Sequence, residues 1–217
     1  MQKSAKAAAL TKNLSRVAIV VAAVAGLYLA KISGFPTAWS PHVSMWQRFG
    51  LPSALSMPIG LLSIVLTVLT PRELRIPHVR FPKSILVYTE GGLLEEALFR
   101  FIALPAIVWL VSHVLLNGRA FTAVFWAATG LLAVAYTATQ FLGVQKVMAS
   151  KGSAVPGVVV AQLILAAPVY SVLASWVFKM AGPVAPLVMR FWVYLIWHII
   201  WGAIAVESGA APERTLE

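Results

Sequence analysis

The chain contains no cysteine and no aspartate. Without cysteine there are no disulfides, no thiol nucleophile and no thiolate metal site. The acidic side chains are seven glutamates, set against 17 lysines and arginines, for a formal net charge of +10. Charged residues of all kinds make up 11% of the chain, hydrophobic ones 60%, and the mean hydropathy is +0.85. That apolar share exceeds what a soluble domain carries and is the composition of a membrane protein. The bases stand in the gaps between apolar runs rather than among exposed aromatics on a soluble module. Topology and anionic lipid headgroups therefore account for them, and nucleic-acid binding is set aside. No internal repeat and no low-complexity tract is evident.

Taken in order, the apolar runs predict an all-α, polytopic membrane helix bundle of about six spans. Residues 1–16 form a basic segment with Lys3, Lys6, Lys12 and Arg16, followed by an apolar run from Val17 to Ala30. No small-x-small cleavage site followed by a soluble domain comes after it, so it reads as an uncleaved first span rather than a signal peptide. Pro36 and Pro41 break the pattern, and Trp39, Trp46 and Phe49 suit a short interfacial segment. Leu51–Thr70 is the second span, long enough to cross about 30 Å of hydrocarbon. A basic, proline-punctuated loop covers 71–83. The third run, from Ser84 to Leu116, is too long for one straight span, and Gly91-Gly92 and Pro105 mark its expected breaks. Phe121–Val144, Gly157–Met180 and Leu187–Val206 are the fourth to sixth spans. A single membrane domain thus covers 17–206, and 207–217 is a polar tail.

Six spans put the N-terminus, the second and fourth loops and the tail on one side, with eleven lysines and arginines. The other side holds five: Lys31, Arg48, Arg119, Lys179 and Arg190. That asymmetry orients both termini toward the cytoplasm, in a bacterial inner (plasma) membrane.

Three of the seven acids, Glu90, Glu95 and Glu96, fall within seven positions in the third run, with Arg100 close behind. A charge at bilayer depth costs several kcal/mol, so such groups pair or line a wet cavity. Glu96 and Arg100 are four apart on a helix and share a face, in the favourable order for an ion pair. Glu95 points about 100° away and is left to serve another purpose. Tyr136, Gln140 and His198 supply further polar groups on later spans. One reading is a buried ion pair with isolated polar residues that fix helix register. The other is a glutamate that takes a proton from water, helped by a histidine on another span. His113 reads as interfacial, and His42 and His78 as loop residues of little weight. The intramembrane residues offer no HExxH pair, so no metal and no cofactor is expected.

EEALFR, residues 95–100, resembles the EExxxR signature of the CPBP family, the CAAX-protease and bacteriocin-processing-like intramembrane proteins. The resemblance spans about residues 84–206. It implies proteolysis within the membrane, with Glu95 as the base, Glu96 and Arg100 as its brace and His198 as oxyanion donor. The family's later motifs are FxxxH and HxxxN. Their nearest counterparts here are Tyr136–Gln140, with glutamine in place of histidine, and His198–Gly202, with glycine in place of asparagine. Glutamine orients a water but does not take its proton at neutral pH.

Two functions follow. The first is a CPBP-like intramembrane protease in which a glutamate-activated water hydrolyses a peptide bond. The second is a catalytically degenerate relative, a binding, assembly or scaffold subunit for a membrane partner. A transporter is a weaker third, because intramembrane acids also mark ion paths but no inverted repeat accompanies them here. The expected partners are membrane lipid and a membrane-protein substrate or partner subunit.

Overall fold

Apolar runs long enough to span a bilayer satisfy their backbone internally only as helices or closed barrels. In this chain they form helices. The structure, a computed structural model, describes residues 2–150 and 152–213, with side chains from Val17 onward except Glu73. The side chains of the basic segment and the last four residues of the tail lie outside the described residues.

Among the described residues six long helices follow one another: α1 (Gln2–Ile32), α2 (Trp46–Leu69), α3 (Lys83–Leu115), α4 (Phe121–Ser150), α5 (Gly157–Ala181) and α6 (Val184–Glu207), with a short 3-10 turn at Arg72–Leu74 between α2 and α3. The last five are long and apolar enough to cross a membrane, and α1 adds a shorter apolar stretch over Val17–Ile32. The expected all-α membrane bundle is present, and no strand occurs among the described residues. The first helix begins at Gln2, so the basic segment and the first span are one rod.

The third run differs in detail from its sequence reading. It stays helical over 33 residues and does not part at Gly91-Gly92. Its departures from α geometry are π-helical stretches at Ala97–Ala103 and Trp109–Leu115. Pro105 falls just after the first, at the start of the intervening α turn.

The buried face of α2 carries hydroxyls rather than bulky side chains. Ser56, Ser63 and Thr67 return their protons to carbonyls four residues back, which hides each donor inside its own helix. The second half of α3 packs on α1 and α4, and its first half packs on α6, which in turn lies against α2 and α5. Two apolar clusters result. One gathers Phe35, Phe101, Leu104, Val108, Phe125 and Phe178. The other gathers Tyr136, Tyr170, Val177, Met189 and Val193. Phe99 of α3 touches both, and the charged residues of α3 lie beside it. Leu61, Val65, Leu131, Val134, Ile164 and Leu165 point outward, as a lipid-facing surface requires.

Candidate functional site

The site forms where the first half of α3 meets α6. Gly92 permits the approach. A β-carbon on it would lie 2.9 Å from Arg190 Cγ and 3.1 Å from Tyr194 Cε2. The glycine that reads as a helix break is thus a contact point, and it lets the Arg190 stem pass close over α3. Its neighbour Gly91 faces open space.

Arg190 then reaches both adjacent glutamates. Its Nε and Nη2 donate to Glu96 Oε1 at 2.9 and 2.7 Å, and its Nη1 lies 2.8 Å from Glu95 Oε2. The two carboxylates leave α3 in different directions, as the helical repeat demands. A planar guanidinium offers donors on opposite edges, so one arginine spans both. Beyond the glutamates, the helix widens into its π-helical stretch at Ala97.

Glu96 is fully buried, and its Oε1 also accepts from Tyr170 at 2.9 Å. Arg100, the expected brace, stands farther off. Its Nε is 3.7 Å from Glu96 Oε2, an electrostatic contact rather than a hydrogen bond. Arg100 Nη2 donates to the hydroxyl and the carbonyl of Ser171, at 2.9 and 3.2 Å. The guanidinium also lies over the Tyr136, Tyr170 and Phe99 rings, 5.5 to 5.8 Å from their centroids. Ring faces and a serine thus hold much of its charge.

Glu95 is one quarter exposed. Its Oε2 accepts from Tyr194 at 3.0 Å and, over a long 3.5 Å, from Tyr136, in addition to Arg190. Its Oε1 accepts from Gln140 Nε2 at 3.1 Å. Three of the four protein donors around Glu95 thus gather on Oε2 and one on Oε1. Tyr136 and Gln140, singled out on sequence as supporting residues, do converge on Glu95. The α6 groups bonded to it are Arg190 and Tyr194, which share the four-residue spacing of the family's last motif but lie two turns before the His198–Gly202 pair.

His198 sits in an aromatic stack. Its ring lies 4.3 Å from that of Tyr88, nearly parallel, and 4.1 Å from Trp197. It shares with Tyr136, Gln140 and Arg190 the wall of a cavity of about 100 Å³. Glu90 is exposed and borders a different space, an apolar groove of about 820 Å³ between α1 and α3.

Arg190 is the main residue that the sequence reading misplaced. Counted there with the bases of one membrane face, although the sixth span Leu187–Val206 contains it, it is buried inside the bundle. Its signal was available: α6 starts at Val184, so Arg190 lies nearly two turns inside an apolar helix. Tyr170, Ser171 and Tyr194 carried no comparable mark.

His78, read as a loop residue of little weight, is fully buried as well. Its backbone N–H donates to Pro212 O at 3.0 Å, and its ring lies 5.4 Å from that of His198. Among the described residues neither ring nitrogen has a hydrogen-bond partner. Burial away from water lowers its pKa from 6.5 to about 4, so the ring is neutral at pH 7. Arg75 fastens the same connection by donating to the carbonyls of Val68, Thr70 and Ala210.

Among the described residues no group of three or more His or Glu side chains is placed to hold a metal ion. Compared with family models, curated proteins and solved structures, the chain gives no match.

With two glutamates and two arginines, the cluster is balanced in charge and cross-links α3, α5 and α6, with Gln140 and Tyr136 of α4 on its rim. The glutamine beside Glu95 has no proton-accepting base to offer.

Proposed function

We propose that this chain is a CPBP-like membrane protein that works without hydrolysis, as a binding, assembly or scaffold subunit for a membrane partner. One observation carries the reading. The Glu95 carboxylate, the expected base, is engaged by Arg190, Tyr194, Gln140 and, at longer range, Tyr136. A general base needs a lone pair free for water and a route onward for the proton. Here three donors crowd Oε2, Oε1 is held by Gln140, and that glutamine stands at the position that would pass the proton on. The EEALFR segment works in this reading as an interior lock between helices.

The test compares new protein N-termini in membranes of cells carrying the wild-type chain, Glu95→Gln or no chain. The wild type and Glu95→Gln should give the same set. Termini made by the wild type and lost with Glu95→Gln would establish the competing reading, hydrolysis by a glutamate-activated water. That alternative is favoured by the partial exposure of Glu95 and the cavity beside its partners.

The orientation belongs to the same proposal, with both termini in the cytoplasm of a bacterial plasma membrane. With Arg190 assigned to the interior, eleven bases stand against four. The chain has no cysteine, so single cysteines at Arg80 and Asn117 read the topology directly. A membrane-impermeant thiol reagent applied to intact cells should label position 117 and spare position 80. The reverse pattern would invert the topology.

A further inference from the structure

Beside the lock lies a partly open cavity of about 100 Å³, framed by α2, α4, α5 and α6. Much of its wall is aliphatic, including Ile59, Val144, Val159 and Leu163. Gln162 of α5 also lines it. This side chain drew no notice in the sequence. The residue is only 8% exposed, and no described group hydrogen-bonds to its amide. Its amide atoms are not sealed in the packing but open on the cavity, so whatever completes them comes from within that space. Gln140 reaches the cavity from α4. Its Nε2 is committed to Glu95, which leaves its carbonyl oxygen available as an acceptor.

We propose that this cavity binds an uncharged carboxamide group, recognised by Gln162 with Gln140 as a second contact. The inference rests on the non-hydrolytic binding reading and gives that binding a chemistry. Three features select the ligand. The adjacent glutamates and arginines already balance one another, so an added charge would lie unpaired at bilayer depth. The Gln162 amide offers a donor and an acceptor in one plane, and a second carboxamide returns both. The volume matches about three waters, since each takes about 30 Å³ of liquid, and that suits a single side chain rather than a length of peptide. An asparagine or glutamine side chain on a partner's membrane segment supplies such a group, and so does a small free amide.

The test uses the full chain in bicelles, with 5-fluorotryptophan in place of tryptophan and the Trp197 resonance assigned by Trp197→Phe. Trp197 lines the same cavity. Propionamide should shift that resonance saturably, and propionate at equal concentration should not. Gln162→Leu should weaken propionamide binding about tenfold, the worth of one hydrogen bond. The same variant should unfold no more easily than the wild type, because it replaces a polar group that bonds to no described residue by an apolar one in an apolar wall. A residue that served only the fold would show the opposite, a loss of stability.

A second arm adds a single-span apolar peptide with one central asparagine, or its leucine counterpart. Competition by the asparagine peptide alone identifies a partner's side chain as the source. Saturable propionamide binding without such competition identifies a small amide. No saturable shift, an equal shift with propionate, or unchanged binding in Gln162→Leu would each overturn the proposal. New N-termini dependent on Glu95 would instead sink the non-hydrolytic reading and leave the propionamide result to be judged by itself.

Discussion

The Arg190 guanidinium meets the fully buried Glu96 carboxylate at 2.7 Å, across 94 residues of chain. Through its other edge it holds Glu95 as well. A segment that looks self-contained in sequence, with an acid and an arginine four apart, is therefore completed from the last helix. Placement of the two glutamates depends on how α6 packs on α3.

Replacing Arg190 should do more harm than replacing Arg100. Arg190→Gln leaves two carboxylates without their principal partner and should destabilise the bundle by about 3–5 kcal/mol. Arg100→Gln gives up a 3.7 Å contact, a bond to Ser171 and the ring contacts. Glu96 keeps Arg190 and Tyr170, so the loss should be about 1–2 kcal/mol. Unfolding in mixed micelles of a mild detergent and dodecyl sulfate ranks the two, and the reverse order would refute the assignment.

Gly91 and Gly92 give a paired test one residue apart. Gly92→Ala pushes a methyl against the Arg190 stem and should destabilise by about 1–3 kcal/mol. Gly91→Ala meets nothing within 4 Å and should be neutral or stabilising by up to about 1 kcal/mol, from helix propensity. The same unfolding assay separates them. Equal effects would mean that α6 does not approach α3 at Gly92.

His78 should make stability depend on pH. Its folded pKa of about 4 lies below the unfolded 6.5, so the unfolded chain binds the extra proton first. The neutral ring's contribution is fully present above about pH 6.5, is lost as pH falls toward 4, and levels off below. The full span is worth about 3 kcal/mol. His78→Phe keeps an aromatic ring against His198 and Trp197 and should flatten the curve between pH 6.5 and 4. Unfolding midpoints measured across that range check this, and an unchanged slope would assign the pH dependence to other groups.

Much of the architecture was legible because apolar runs of 20 or so residues have few alternatives to spanning helices. The acids of α3 were legible for the same reason, since ionised groups stand out in such a run. Their relations were harder to read. Arg190 lies in the first turn of the sixth span as read from sequence, close enough to its end to be counted with the bases of one membrane face. The helix start at Val184 puts it deeper, nearly two turns inside. Gly92 suggests a break by propensity, yet its role depends on a helix about 100 residues later. Gln162 is one polar residue in an apolar stretch, and nothing local says that a cavity lies beside it. His78 lies in an irregular connection punctuated by Pro71, Pro77 and Pro82, and its contact with Pro212 is set by the tail. Helix periodicity speaks of one helix at a time, whereas the site is made between four.

The central claim is that Glu96 and Arg190 act as one cross-helix lock. A double-mutant cycle measures this directly, with Glu96→Gln, Arg190→Gln and the double variant unfolded under the same conditions. A lock of this geometry should give a coupling energy of about 2–3 kcal/mol, with the double variant less damaged than the two single losses added together. Additive losses, with coupling below about 0.5 kcal/mol, would contradict it.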